Sequence, residues 1–266
     1  MDRTAAFGSD RQRVALGGVL VDRVDRAGAD AAIVRFLNDG RSHQITTVNT
    51  DFLRTAQNDP GFRQVINRSD LAVADGMPVV WISRLCRQRI PERVTGFDLI
   101  DSACRHAVRE RVGVFLLGAA PGIADAAAQE LASRYRGLRI AGTYSPPFGG
   151  DTAAEDGRMT AAIRAAGRCV LFVAFGAPKQ DRFISSHLAE LDVPVAIGVG
   201  GAFDVLAGAI RRAPGWMQSA GLEWIWRLAM EPSRLWRRYL IHDVPFLGSL
   251  AAAAVRDSRA ARVEGI

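Results

Sequence analysis

The sequence has little cysteine, almost no lysine and no apolar run long enough to cross a bilayer. Its three cysteines, Cys86, Cys104 and Cys169, share no short spacing, so they suit neither a zinc motif nor a disulfide framework and read as buried thiols in a reducing compartment. The four histidines, His43, His106, His187 and His242, are equally scattered, and no metal site is expected of them. There is no Asp-x-Asp triplet, the carboxylate pair that often holds a metal on a nucleotide diphosphate. A Ser-centred nucleophile elbow and a His-x-x-x-His pair are also missing, which removes two hydrolytic classes. The stretch Val112 to Ile123 is too short to span a bilayer, and Val193 to Ile210 is interrupted by Asp204 and by Gly198, Gly200, Gly201 and Gly208. The first residues, MDRTAAFGSDRQR, are polar and unlike a secretory signal. A chain made and kept in the cytoplasm is expected.

What is present is globular. The 266 residues are 48% hydrophobic and 23% charged, enough for a sizeable core without a covalent staple. Net charge is +6, and Lys179 is the only lysine, so a single arginine says little by itself. Their distribution says more. Six arginines lie between Arg211 and Leu240 against Glu223 and Glu231, a local excess that suggests an anionic partner.

Short β-branched or apolar runs alternate with longer amphipathic stretches. Strands are expected at Val14 to Leu20, Ile45 to Val48, Leu71 to Ala74, Val114 to Leu117, Leu138 to Gly142, Val170 to Phe175 and Val195 to Val199. Helical patterns lie between them, among them Ala27 to Leu37, Asp98 to Arg109, Ile123 to Tyr135 and Thr160 to Ala166. Such alternation predicts an α/β fold: a mostly parallel, Rossmann-like sheet with helices on both faces. Pro121 and Pro178 suit first helical turns. After about Ile210 the strand pattern stops. Trp216, Trp224, Trp226 and Trp236 crowd together with arginines, Pro232 divides two helical patterns, and an apolar segment runs from Val244 to Val255. Residues 1–210 are therefore expected to form the core, and 211–266 a dependent, helical, membrane-associating appendage.

In open parallel sheets, ligands bind outside the carboxyl ends of the strands. Four segments end an expected strand with glycine or a short polar residue: Thr47 to Asp51, Ala74-Asp75-Gly76, Gly118 to Gly122 and Phe175 to Gln180. Their glycines allow close backbone approach to a diphosphate, and helix amino termini offer free N–H groups. Singly they are weak. Asp75-Gly76 is common turn chemistry, Gly118 to Gly122 matches neither a dinucleotide fingerprint nor a P-loop, and Gly200 to Asp204 reads equally as a capped tight turn. Together they indicate a nucleotide-sized ligand. With no Asp-x-Asp, a leaving diphosphate would need arginines, backbone amides and helix dipoles.

The chain resembles the WecG/TagA/CpsF family of bacterial glycosyltransferases from about Val14 to Leu240. The resemblance rests on Thr47-x-Asn49, Ala74-Asp75-Gly76, Arg93-Val94-Thr95-Gly96-x-Asp98-Leu99, Phe115 to Gly118, and Phe172-x-x-Phe175-Gly176-x-Pro178-x-Gln180-Asp181. Its most specific part is Gly198 to Asp204 with Gly208, followed by Arg212-Ala213-Pro214-x-Trp216-Met217 and Gly221-Leu222-Glu223-Trp224-x-x-Arg227-Leu228-x-x-Glu231-Pro232-x-Arg234. The segment Gly142 to Phe148 departs from a Tyr-Phe element common in the family. The resemblance implies inverting, metal-independent transfer of N-acetylmannosamine, its uronic acid or glucose. The donor would be a uridine diphosphate sugar and the acceptor a polyprenyl-diphosphate-linked sugar, in cell-surface polymer synthesis. It implies Asp75 as general base, with Thr47, Asn49, Gly118, Gly176, Gln180, Gly201 and Asp204 around the donor. Arg212, Arg227, Arg234 and Arg237 would meet diphosphate, and the tail would dock on the anionic inner face of the plasma membrane. No cofactor and no nucleic acid partner are expected, and homo-oligomerisation stays open. The alternative is a non-catalytic nucleotide- or lipid-binding protein on the same fold.

Overall fold

The computed structural model describes residues 11–86, 89–147, 153–219, 221–230 and 232–263. Phe148 and Glu231 of the segments quoted above lie outside them. Eight strands occur among the described residues: β1 Arg13–Leu16, β2 Val19–Asp22, β3 His43–Val48, β4 Leu71–Ala74, β5 Gly113–Gly118, β6 Ile140–Tyr144, β7 Cys169–Ala174 and β8 Val195–Gly198. The last six form one sheet in the order β4-β3-β8-β7-β5-β6, and every pairing is parallel.

Residues alternate between the two faces of a strand, and both faces are apolar here. On one side Ile45, Val73, Leu116, Phe172 and Ile197 pack with helices Arg26–Asn38, Gly96–Glu110 and Ile123–Arg134. On the other, Val48, Ala72 and Ala74 meet helices Thr50–Asn58 and Pro60–Arg68, while Leu117, Leu171 and Ala196 meet Ala153–Ala165 and Lys179–Leu191. Burial on both faces is why β4, β5, β7 and β8 read as continuous apolar runs.

The expected first strand is a correction. Residues Val14 to Leu20 are not one strand of the parallel sheet. They are the centre of a hairpin, β1 antiparallel to β2, forming a separate two-stranded sheet. Gly17 and Gly18 both have positive φ, 57° and 81°, which suits the two-residue turn that matches strand twist. The hairpin is fastened to β4 by Asp22, whose buried carboxylate pairs with Arg11 and Arg13 and accepts from Ala72 N at 2.7 Å. The helix after β5 starts at Ile123, so Pro121 lies in the preceding turn, and Pro178 is the N-cap of Lys179–Leu191.

Beyond β8 the chain forms helices Ala202–Leu206, Gly215–Ser219, Glu223–Met230 and Pro232–Trp236, a π-helical turn Arg237–Asp243 and the helix Val244–Val263. The last helix returns to the body. Leu250 is 7% exposed and packs into the cluster that contains Val14, Leu16, Val19 and Val21. No helix among the described residues is long and apolar enough to cross a membrane.

Candidate active site

The carboxyl ends of β3, β4 and β8 open into a cavity of about 350 Å³. Asn49 follows β3, Asp75 follows β4 and Gly201 follows β8, and all three line it. The segment carrying Arg93, Thr95 and Gly96 forms a second wall, and residues from the C-terminal segment, including Arg212, Glu223 and Arg227, form a third. Charged groups thus share the space with the apolar side chains of Met77, Trp81, Trp224 and Leu247.

Local structure sets Asp75 rigidly in place. Its N–H donates to Val48 O at 2.8 Å, and the next segment is tied alongside by Val94 N donating to Ala74 O at 3.0 Å. Thr95 then starts helix Gly96–Glu110 with a reciprocal capping box: Asp98 N donates to Thr95 Oγ1, and Thr95 N donates to Asp98 Oδ2. This aims the helix amino terminus at Asp75, whose Oδ2 accepts from Gly96 N at 3.4 Å. Desolvation dominates the carboxyl and raises it to about 6, from an ordinary value of 3.8. The Gly96 N–H and the Arg93 charge pull it down, and the charges of Glu223 and Asp98 push it back up. A carboxylate that takes up a proton near neutrality inside a cavity is suited to general-base work.

The arginines divide. Arg93 is fixed between two groups of the C-terminal segment, donating through Nη1 to Glu223 and through Nη2 to Gln218 O at 3.1 Å. Arg212 lies over the Phe97 ring, 4.2 Å from its centroid, with Nε 4.0 Å from Glu223. Arg227 stands over the strand-end glycine: a Cβ placed on Gly201 would lie 3.5 Å from its Nη2. Arg237 is exposed against the Trp236 ring and does not line the cavity. Arg234 belongs to helix Pro232–Trp236, and its side chain is outside the described part.

The expected donor residues divide as well. Asn49 and Gly201 line the cavity with Asp75, and Asn49 Oδ1 also caps helix Thr50–Asn58 by accepting from Asp51 N and Phe52 N. Thr47, Gly118, Gly176, Gln180 and Asp204 do not line it. Thr47 is buried in the sheet and donates to Gly198 O at 3.0 Å. Gln180 is 2% exposed; its Oε1 accepts from Gly176 N at 3.2 Å and Gly200 N at 3.0 Å, clamping the loops after β7 and β8 together. Gly118, at φ 105°, sits where a Cβ would lie 2.8 Å from Ala174 O, so glycine is required for the close pass of β5 by β7. Asp204 lies in the first turn after β8, its backbone carbonyl accepting from Ile210 N. Thr47 and Gln180 thus shape the loops whose neighbours form the cavity floor.

Arg93 and Glu223 were not among the expected site residues, although both stand in the quoted motifs. Their opposite charges, one before the sixth sheet strand is reached and one in the C-terminal segment, were the available signal.

The model of the glycosyl transferase WecG/TagA/CpsF family matches residues 14–260. An N-acetylglucosaminyldiphosphoundecaprenol N-acetyl-beta-D-mannosaminyltransferase of Bacillus subtilis is 34% identical over 197 residues, covering 74% of this chain and 74% of its own length. A protein of the same description from Staphylococcus aureus is 31% identical over 218 residues, 82% of this chain and 83% of its own.

Proposed function

Because the chain belongs to the WecG/TagA/CpsF family of glycosyl transferases, we propose that it transfers a sugar from a uridine diphosphate donor to a polyprenyl-diphosphate-linked sugar in cell-envelope polymer synthesis. N-acetylmannosamine is the first candidate sugar, as in the names of the relatives. One observation carries the reading: Asp75, with its carboxyl raised to about 6, faces the same cavity as Arg212 and Arg227.

In this reaction the Asp75 carboxylate accepts the proton of the acceptor hydroxyl. That oxygen forms a bond to the anomeric carbon of the donor while the bond from that carbon to the diphosphate oxygen breaks. Uridine diphosphate leaves with the electron pair, and a single displacement inverts the anomeric centre. Guanidinium groups stabilise the departing charge in a partly enclosed site, where such contacts are stronger than in water. Two arginines take the place of the metal that an Asp-x-Asp pair would bind.

A lipid-linked acceptor brings the proposed reaction to a membrane, and exposed side chains of the C-terminal segment, with Trp81, suit one. Trp216 is 65% exposed, and Trp81, Trp236, Ile241 and Val244 are also exposed. Tryptophans and apolar side chains beside arginines fit the boundary between headgroups and acyl chains. The docking face is the anionic inner leaflet. With the acceptor in anionic vesicles, the full chain should sediment with the vesicles and turn over equally well in excess chelator. Loss of transfer that magnesium or manganese restores would overturn metal independence, and a chain that ignores the vesicles would overturn docking.

A further inference from the structure

The cavity is closed on one side by a contact that joins two distant parts of the chain. Arg93, 10% exposed, reaches from the core to Glu223 on helix Glu223–Met230 and to the carbonyl of Gln218 beside it. Glu223 in turn lies 4.0 Å from Arg212 Nε. We infer that Glu223 is a positioning residue: by holding Arg93 it fastens the C-terminal segment over the cavity and at the same time neutralises a cation whose charge acts on the Asp75 carboxylate. Docking of the segment and the readiness of the base are then one event. The inference rests on the proposed role of Asp75.

The groups that face Asp75 support this. From the core come Arg93 and Asp98, whose charges act on its carboxyl in opposite directions. From the C-terminal segment come Arg211, Arg212, Glu223 and Arg227. Asp51 and Asp243 also line the cavity and are bridged by Arg54. Arg93 and Glu223 are therefore the pair whose opposing charges register on Asp75 and whose contact also spans core and segment. With Glu223 absent, Arg93 becomes an uncompensated cation at the cavity wall. It would favour ionised Asp75 and make it a weaker base.

The test uses the full chain. Transfer is measured against pH for wild type, Glu223→Gln, Arg93→Gln and the double variant. Activity should rise as Asp75 loses its proton. Glu223→Gln should move that rise to lower pH by about one unit, the lower end of what a neighbouring opposite charge produces. Arg93→Gln should move it upward, and the double variant should return close to wild type. A merely structural role would lower turnover without moving the rise in opposite directions. Hydrogen exchange supplies the second readout: Glu223→Ala should speed amide exchange in residues 215–230 by about tenfold or more, the factor that accompanies loss of about 1.4 kcal/mol. Unchanged exchange would overturn the fastening. An unmoved pH rise, with Asp75→Asn inactive, would overturn the coupling alone. Full turnover in Asp75→Asn would overturn the base and the coupling with it.

Discussion

Asp75→Asn is expected to lower turnover by about a hundred- to ten-thousand-fold, the contribution a positioned base makes, while donor binding and the fold persist. Asparagine preserves the shape of the side chain at the end of β4 and can still accept from Gly96 N, but it cannot take a proton from a hydroxyl. The pH behaviour has a definite sign. With the Asp75 carboxyl raised to about 6, wild-type activity should climb as pH rises through that value and fall away below it. Stability runs the other way. The unfolded chain releases this proton near 3.8 and the folded chain near 6, so ionising Asp75 weakens the fold as pH rises between them. The variant lacks that charge and should be at least as stable as wild type above about pH 6. Single-turnover transfer together with thermal unfolding checks both halves, and near wild-type turnover in the variant would remove Asp75 from the mechanism.

The second large effect is expected at the arginines that the C-terminal segment brings to the cavity. Arg212→Ala and Arg227→Ala should each lower turnover by about a hundred- to a thousand-fold, the scale for removing one preorganised donor to developing negative charge. Arg227 is exposed at the rim, standing over Gly201, so its loss should barely change the unfolding temperature. Arg212 also lies over the Phe97 ring, and a modest stability loss should accompany its removal. Lysine at either position should restore only part of the rate, because an ammonium cannot make the paired contacts a guanidinium makes to phosphate oxygens. Arg237, outside the cavity, serves as the contrast: Arg237→Ala should leave turnover on a soluble, short-chain acceptor near wild type. Equal effects at Arg227 and Arg237 would show that overall positive charge, and not placement at the cavity, is what matters.

Much of this architecture could be read from residue patterns because it depends on local periodicity. The runs Leu71 to Ala74 and Val170 to Phe175 are apolar throughout, as suits strands buried on both faces, and the Asp-Gly after β4 marked the end of its strand. The hairpin was harder. Gly17-Gly18 between two short apolar runs is itself a hairpin signal, overridden by reading the whole run as one strand, and the antiparallel pairing of Val14 with Val21 and Leu16 with Val19 establishes the turn. At the site, the loops around Gly118 and Gly176 look like diphosphate cradles in sequence. The cause of Gly118 is the close passage of β5 by β7, and the oxygen of Gln180 is occupied by two backbone amides. Neither fact is visible in a linear pattern. Least legible was the pairing of Arg93 with Glu223 across 130 residues, since in an arginine-rich chain every acidic residue has many candidate partners. The C-terminal segment stands out in the sequence by its tryptophans and arginines, but the packing of Leu250 into the hairpin core does not.

The most direct measurement is product formation by the purified full chain, offered several uridine diphosphate sugars together with a short polyprenyl-diphosphate-linked N-acetylglucosamine acceptor. The account predicts that one donor, uridine diphosphate N-acetylmannosamine first among them, yields an acceptor heavier by one sugar residue, joined with inverted anomeric configuration, and free uridine diphosphate in equal amount. No transfer from any donor, by a folded chain bound to the acceptor, would contradict it and leave a binding protein on a glycosyl transferase fold.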